Sequence, residues 1–228
     1  MTALILLPGL DGTGDLFAPL LGELSKDLQP IIVRYPAREP LGYSRLRQLV
    51  LETLPSNGTF VILGESFSGP VAISVAAHAP ERCRGVLLCA SFVSSPVPLA
   101  KVLSALVGVA PIRWAARTLW PRRLMGRFAS ADVRSLMFAA LDAVSDEVLR
   151  TRIREVLSVD VSSELAGLDL PTLYLQATED AAMPKAAAVK FARLARRGRV
   201  EAVVGPHFLL QCSPAAAARA IESFVRGL

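Results

Sequence analysis

The chain has 228 residues, enough for one domain with a large core, or one domain carrying an insertion. Its 52% apolar and 20% charged residues describe a folded globular protein and exclude a disordered one. A formal charge of +5 leaves room for an acidic partner, but aromatics make up only 6% and the pairs Arg122-Arg123 and Arg196-Arg197 belong to no recognisable binding motif, so nucleic acid is not expected.

No apolar run approaches the length of a bilayer; the best, Val102–Ile112, contains Pro111 and stops at Arg113. The stretch Met1–Gly9 lacks a basic n-region and a long h-region, so no signal peptide is expected. Cys83, Cys89 and Cys212 are odd in number and have no metal or redox spacing. They suit reduced thiols in a cytoplasm, with neither a zinc nor an iron site.

Along the chain, short continuous apolar runs alternate with amphipathic stretches. Strands are predicted at Ala3–Leu7, Ile31–Tyr35, Phe60–Leu63, Gly85–Ala90, Thr172–Gln176 and Val200–Val204. Their unbroken apolar character is that of strands buried on both faces. Helices are predicted at Leu16–Leu24, Tyr43–Leu54, Pro70–Ala79, Lys185–Ala195 and Pro214–Val225, the last opened by Ser213 as N-cap with proline at the first helical position. This rhythm implies an α/β fold, a mostly parallel sheet of about six strands with helices on both faces. Residues 94–167 break the rhythm. They carry helical patterns punctuated by Pro96, Pro98, Pro111 and Pro121, with Ser130 and Ser145 as candidate helix openers. The expected organisation is a core in two parts, 1–93 and 168–228, with a helical cap at 94–167 over the crevice at the carboxyl ends of the strands.

The third strand runs into "GESFSG", and a helical stretch follows at once. A tight strand-to-helix turn lifts its apex residue, Ser66, above the sheet and needs small residues on its flanks. Gly64, Ser68 and Gly69 supply them. A serine hydroxyl is a weak nucleophile until a base takes its proton. Of the two histidines, His78 lies within the following helix, whereas His207 follows the last apolar run at a carboxyl edge of the sheet. A histidine base needs a carboxylate to fix its tautomer, and Glu179 and Asp180 stand just past the preceding strand. "GLDGTG" after the first strand has the wrong glycine spacing for a phosphate loop, and no Gly-Lys-Ser/Thr follows it.

Serine, acid and histidine in that order, over essentially the whole length, make the chain resemble the α/β-hydrolase superfamily, beginning at what is usually its third strand and lacking its first hairpin. The resemblance implies a Ser66–His207–Asp180 triad, because the family's Asp-x-x-x-Pro spacing fits Asp180 to Pro184 and not Glu179. It also implies an oxyanion hole from the backbone N–H groups of Leu10 and Phe67. Pro8 stands where a histidine is common in the family. The chain is similar to small serine esterases such as the pimeloyl-carrier-protein methyl esterases, and "PGLDGTG" resembles a loop of plant acyltransferases that esterify phytol or glycerides. The activity so implied is hydrolysis of carboxylic esters or thioesters of an apolar acyl group, with no cofactor. An acyltransferase, a carrier-protein or coenzyme A thioesterase, and a non-catalytic small-ligand receptor are the alternatives.

Arg113, Arg117, Arg122, Arg123 and Arg127 gather in one part of the cap. Pairs four residues apart share a helix face, and Trp114 and Trp120 would turn inward. Such a rim would suit an acidic acyl carrier protein or coenzyme A, although a solvated surface is the simpler explanation of the arginines.

Overall fold

The computed structural model describes residues 3–97 and 100–228, apart from the side chains at 101 and 102, so Met1, Thr2 and Pro98 lie outside the described residues. Six strands form one parallel sheet: β1 (Ala3–Leu7), β2 (Gln29–Ile32), β3 (Phe60–Glu65), β4 (Cys83–Cys89), β5 (Thr172–Ala177) and β6 (Gly198–Val203), in the order β2-β1-β3-β4-β5-β6. β3 lies in the middle, and each of its residues is buried. That burial is what the unbroken apolar pattern demands.

The edge strands depart from the predicted runs. β2 starts at Gln29 and ends at Ile32, so Val33 and Tyr35 fall outside it, although their N–H groups still bond to Leu6 O and Gly12 O. β6 starts at exposed Gly198 and Arg199. An edge strand is wetted along one side, so its ends are set by backbone pairing more than by apolar side chains, and the edge tolerates Pro30.

Helices cover both faces: α1 (Ala18–Leu21), α2 (Tyr43–Thr53) and α3 (Gly69–His78) in the first half of the chain. The single helix expected at Leu16–Leu24 is a 3₁₀ turn, Asp15–Phe17, followed by α1 with Pro19 in its first turn. Between β4 and β5 come α4 (Ala100–Leu106), α5 (Ile112–Thr118), α6 (Trp120–Met125), α7 (Ala131–Asp142), α8 (Asp146–Ser158) and α9 (Ser162–Gly167). The chain ends with α10 (Lys185–Leu194), α11 (Leu209–Cys212) and α12 (Pro214–Arg226). Under one face Leu46, Val71, Val75 and Phe191 pack with Ile5, Ile62 and Tyr174; under the other Phe17, Leu20, Ile221 and Phe224 pack with Leu6, Leu63 and Leu173.

The helices between β4 and β5 have a core of their own, in which Ile112, Met125, Met137, Leu141 and Leu149 meet. Ser130 and Ser145 cap α7 and α8 as expected, their hydroxyls accepting from Val133 N (3.1 Å) and Val148 N (3.3 Å). Ser213 behaves differently: it stands at the N-cap of α12, but its hydroxyl donates to Val204 O (2.8 Å). Leu165 of α9 packs with the sheet-side cluster of α3, so the separate core is built from elements before α9.

Two features of this fold position the site. The first is topological. β1 connects outward to β2 while β3 connects the other way to β4, so the carboxyl ends of β1 and β3 form the switch point at which open α/β sheets hold ligands. The second is Arg152 of α8, only 1% exposed, which donates to Leu10 O (2.9 Å), Asp11 O (2.7 Å) and Pro36 O (3.0 Å) and lies over the Tyr35 ring. Gly12 has φ +70°, and a side chain there would collide with this guanidinium. Arg152→Met would remove three charge-assisted hydrogen bonds and strand three carbonyls, and we expect it to lower the unfolding free energy by about 2–4 kcal/mol. Urea denaturation monitored by circular dichroism checks this, with Arg154→Met, an exposed arginine of the same helix, as the control for loss of charge alone.

Candidate active site

Ser66 is the first residue of a 3₁₀ turn, Ser66–Ser68, between β3 and α3, and its φ of 46° is one of two positive values among described non-glycine residues. Strain of this kind persists only where neighbours over-determine it. The Ser91 hydroxyl donates to Ser66 O (2.5 Å), and the Ser91 carbonyl in turn accepts from Tyr174 OH (2.5 Å). A methyl group on Gly64 would strike the Ser68 backbone, and one on Gly69 would strike the Ser91 hydroxyl.

Ser68 fills the position where the family commonly has glycine, and it is fully buried. Its hydroxyl donates to Pro8 O and, in the same chain of bonds, meets Tyr35 OH at 2.8 Å. The loop after β1 is thereby tied to the turn. Burial pushes the Tyr35 phenol up, the Ser68 bond and the Arg152 charge opposing the shift and Asp11 adding to it, so Tyr35 keeps its proton.

Ser66 Oγ lies 2.9 Å from His207 Nε2, and His207 Nδ1 lies 2.9 and 3.1 Å from the two oxygens of Asp180. The Asp180 carboxylate only accepts, so the imidazole proton sits on Nδ1 and leaves Nε2 free to accept from Ser66. Asp180 Oδ1 also accepts from Ala182 N (2.8 Å) and Met183 N (2.7 Å), which fixes the carboxylate. Side-chain exposure is 5% for His207 and 7% for Asp180, so the contact is shielded from water. Glu179 turns the other way and binds Arg127 at 2.6 and 2.8 Å in solvent. His78 ends α3 with Nδ1 beside Ser74 O, away from these groups.

Leu10 and Phe67 flank the same spot. Leu10 follows Gly9 in the loop after β1 and lines the cavity above Ser66. Phe67 directly follows Ser66; its ring stacks on Tyr43 (centroids 4.7 Å apart), and its carbonyl accepts from Tyr43 OH (2.9 Å). The cavity has a volume of about 320 Å³ and is mostly apolar, with Leu16, Trp120, Leu124, Met137, Leu141 and Phe208 around Ser66 and His207. Among the described residues, no cluster of three or more His, Cys, Asp or Glu side chains could hold a metal ion.

The helical segment corrects two expectations. Trp120 lines the cavity, but Trp114 is 59% exposed. Gly126, at φ +51°, ends α6, so Arg123 and Arg127 do not share a helix face; each reaches the loop before α10, Arg123 to Ala181 O and Arg127 to Glu179. Arg113 and Arg117 do share a face and both pair with Asp142, and Arg113 also binds Asp146. Sequence reasoning missed Arg152. Its signal was present, an arginine on the buried stripe Val148, Leu149, Arg152 of an amphipathic helix.

Among the described residues no helix is long and apolar enough to cross a membrane. No curated protein matches the chain by sequence. Among solved structures, a hydrolase from Oleispira antarctica superposes with a TM-score of 0.87 at 15% identity, covering 100% of this chain and 92% of that one. An esterase from Exiguobacterium antarcticum gives 0.85 at 14% identity and the enol-lactonase from Burkholderia xenovorans 0.82 at 18%, each covering 99% of this chain and 92% of the other. At these identities the likeness is one of fold. The sequence profile of the Alpha/beta hydrolase family, however, matches residues 4–220, nearly the whole length, and the chain belongs to that family.

Proposed function

We propose that the protein is a serine hydrolase of carboxylic esters or thioesters, acting through an acyl-enzyme on Ser66. The observation that carries the reading is the unbroken run of contacts from Ser66 Oγ through His207 to Asp180 at the floor of an apolar cavity. Ser66 Oγ attacks the carbonyl carbon as its proton passes to His207 Nε2. Asp180 stabilises the imidazolium, and the N–H groups of Leu10 and Phe67 bind the oxyanion. Collapse of the tetrahedral intermediate expels the alcohol or thiol, which takes the proton from His207. Water then repeats the sequence to free the acid. The volume of about 320 Å³ lies at the small end of ligand sites and suits a short or medium apolar acyl group. Three free cysteines, Cys83 and Cys89 buried, suit a reducing compartment such as the cytoplasm.

A fluorophosphonate probe should label Ser66 alone. Ser66→Ala and His207→Ala should each lower kcat on a p-nitrophenyl ester by about 10⁴- to 10⁶-fold, and His78→Ala should leave it nearly unchanged. Asp180→Asn should be severe and Glu179→Gln mild. Labelling that persists in Ser66→Ala, or the reverse order for the two acids, would sink the assignment.

A thioester carried by an acidic carrier protein or coenzyme A is a second reading, favoured by one observation. Arg123 lines the cavity and its neighbour Arg122 stands outside the lining; neither has an acidic partner among the described residues, whereas Arg113, Arg117 and Arg127 are engaged by carboxylates. Reversing Arg122 and Arg123 to glutamate should then cut kcat/KM for a carrier-bound acyl group by about tenfold at low salt, with little effect on the same acyl group esterified to a neutral alcohol. Equal, salt-independent responses of the two substrates would leave the simple ester as the substrate.

A further inference from the structure

Two buried oxygens next to Ser66, on Glu65 and Gln211, lack a well-formed hydrogen bond. Glu65 ends β3, is 4% exposed and lines the cavity. Its Oε1 accepts from Gln211 Nε2 at 2.8 Å, and the same amide nitrogen donates to Leu16 O at 3.2 Å. Glu65 Oε2 and Gln211 Oε1 are left without a hydrogen-bond partner, although both are buried. Turning the amide round does not help, since its oxygen would then face Leu16 O. An ionised carboxylate has only acceptors to offer, so even with the Gly9 N–H turned toward Glu65 it leaves Gln211 Oε1 stranded. One proton on Glu65 Oε2 can serve both, with the carboxyl O–H donating to the amide oxygen while the amide N–H donates back.

The charged and titratable neighbours of Glu65 come from four elements. Asp11, on the loop after β1, flanks the same backbone: a Cβ on Gly9 would lie 3.6 Å from Asp11 Oδ1 and 3.9 Å from Glu65 Oε2. Cys89 of β4 is opposite Glu65 in the sheet, and burial, with Glu65 and Asp180 adding, holds its thiol protonated. His207 faces the group from the loop after β6, backed by Asp180, and Arg152 of α8 is spent on the Leu10, Asp11 and Pro36 carbonyls. Burial pushes the Glu65 carboxyl up to about 7, against the opposing pull of the Gln211 bond; Asp11 adds to the rise, and His207 and the Gly9 N–H reduce it.

We propose that Glu65 is a positioning residue that works as a neutral carboxylic acid, paired with Gln211, and that its ionisation slows acyl transfer at Ser66 by setting a negative charge behind the Gly9-Leu10 loop where the oxyanion forms. The proposal rests on the acyl-transfer reading of Ser66. It gives the pH–rate profile an alkaline limb: Glu65 must be protonated, so activity falls as pH rises through its ionisation.

The test is the pH dependence of kcat/KM for p-nitrophenyl butyrate. Glu65→Gln reproduces the neutral pair, since its amide N–H can donate to Gln211 Oε1 and its oxygen can accept from Nε2. It should lose the alkaline limb, exceeding the wild type by about tenfold near pH 9 while staying within about threefold of it near pH 6. A stability readout accompanies this. The unfolded carboxyl titrates near its ordinary value and the folded one higher, so the wild type loses stability between the two as pH rises. The Tm advantage of Glu65→Gln should therefore grow from acid to alkaline pH. Infrared spectroscopy of the wild type supplies a check that needs neither turnover nor a folded variant: a protonated-carboxyl band present near pH 6 and lost near pH 9 is expected. An alkaline limb that survives in Glu65→Gln, or the absence of that band near pH 6, would overturn the proposal. Failure of the probe to label Ser66, with the band present, would instead count against the hydrolase reading and leave Glu65 protonated.

Discussion

The approach of Gly64 to the Ser68 backbone is the constraint on which the site depends. A strand can hand its chain to a helix within three residues only if nothing stands between the two backbones, and Gly64 and Gly69 leave that space empty. The strained φ at Ser66 is the geometric result, and the hydroxyls of Ser68 and Ser91 hold it from opposite sides. Ser68 shows why serine can replace glycine here. Its hydroxyl spends its hydrogen-bonding capacity on Pro8 O and Tyr35 OH, so the added side chain links the loops of β1 and β3 without adding an unpaired group to the core.

The second support comes from far along the chain. Arg152 lies 141 residues from Asp11 in sequence and reaches it at 2.7 Å. Its buried charge faces three carbonyl dipoles and an aromatic ring, and burial lowers its pKa while Asp11 and Tyr35 pull it back. Carbonyls drawn toward the guanidinium turn their peptide planes, so the N–H groups of the loop are held in the opposite sense. A helix of the inserted segment thus sets the geometry of a loop on the first strand.

The interior of the sheet was legible in the sequence and its margins were not. β3 and the turn after it carry an unmistakable pattern, because burial on both faces and close packing each exclude most residue types. The partners of Ser66 were legible for a simpler reason: only two histidines exist, and only one follows a strand. β2 and β6 were misjudged because solvent on one side frees their side chains from the apolar rule. Trp114 was misjudged because α5 is a short helix that buries only Ile112 and Ala116, on whose outer side an indole can stay in water. Arg152 went unread because three arginines occur within five positions of α8, and only the packed helix distinguishes the buried one. Glu65 and Gln211, 146 residues apart, meet only in the fold.

The Arg152 clamp also divides the inserted segment into parts with different freedom to vary. The elements from α4 to α7 contribute Trp120, Leu124, Met137 and Leu141 to the cavity wall and, among the described residues, are hydrogen-bonded to the loops of β5 and β6 only through Arg123, Arg127 and the Leu124 carbonyl. α8 is bound to the backbone of the loops that follow β1 and β2 and cannot be exchanged on the same terms. A lineage, or an engineer, could therefore swap the wall to suit a different ligand while keeping the anchor. The boundary for such grafts lies at Ser145, which caps α8 and whose N–H bonds to Ala37 O across from the sheet.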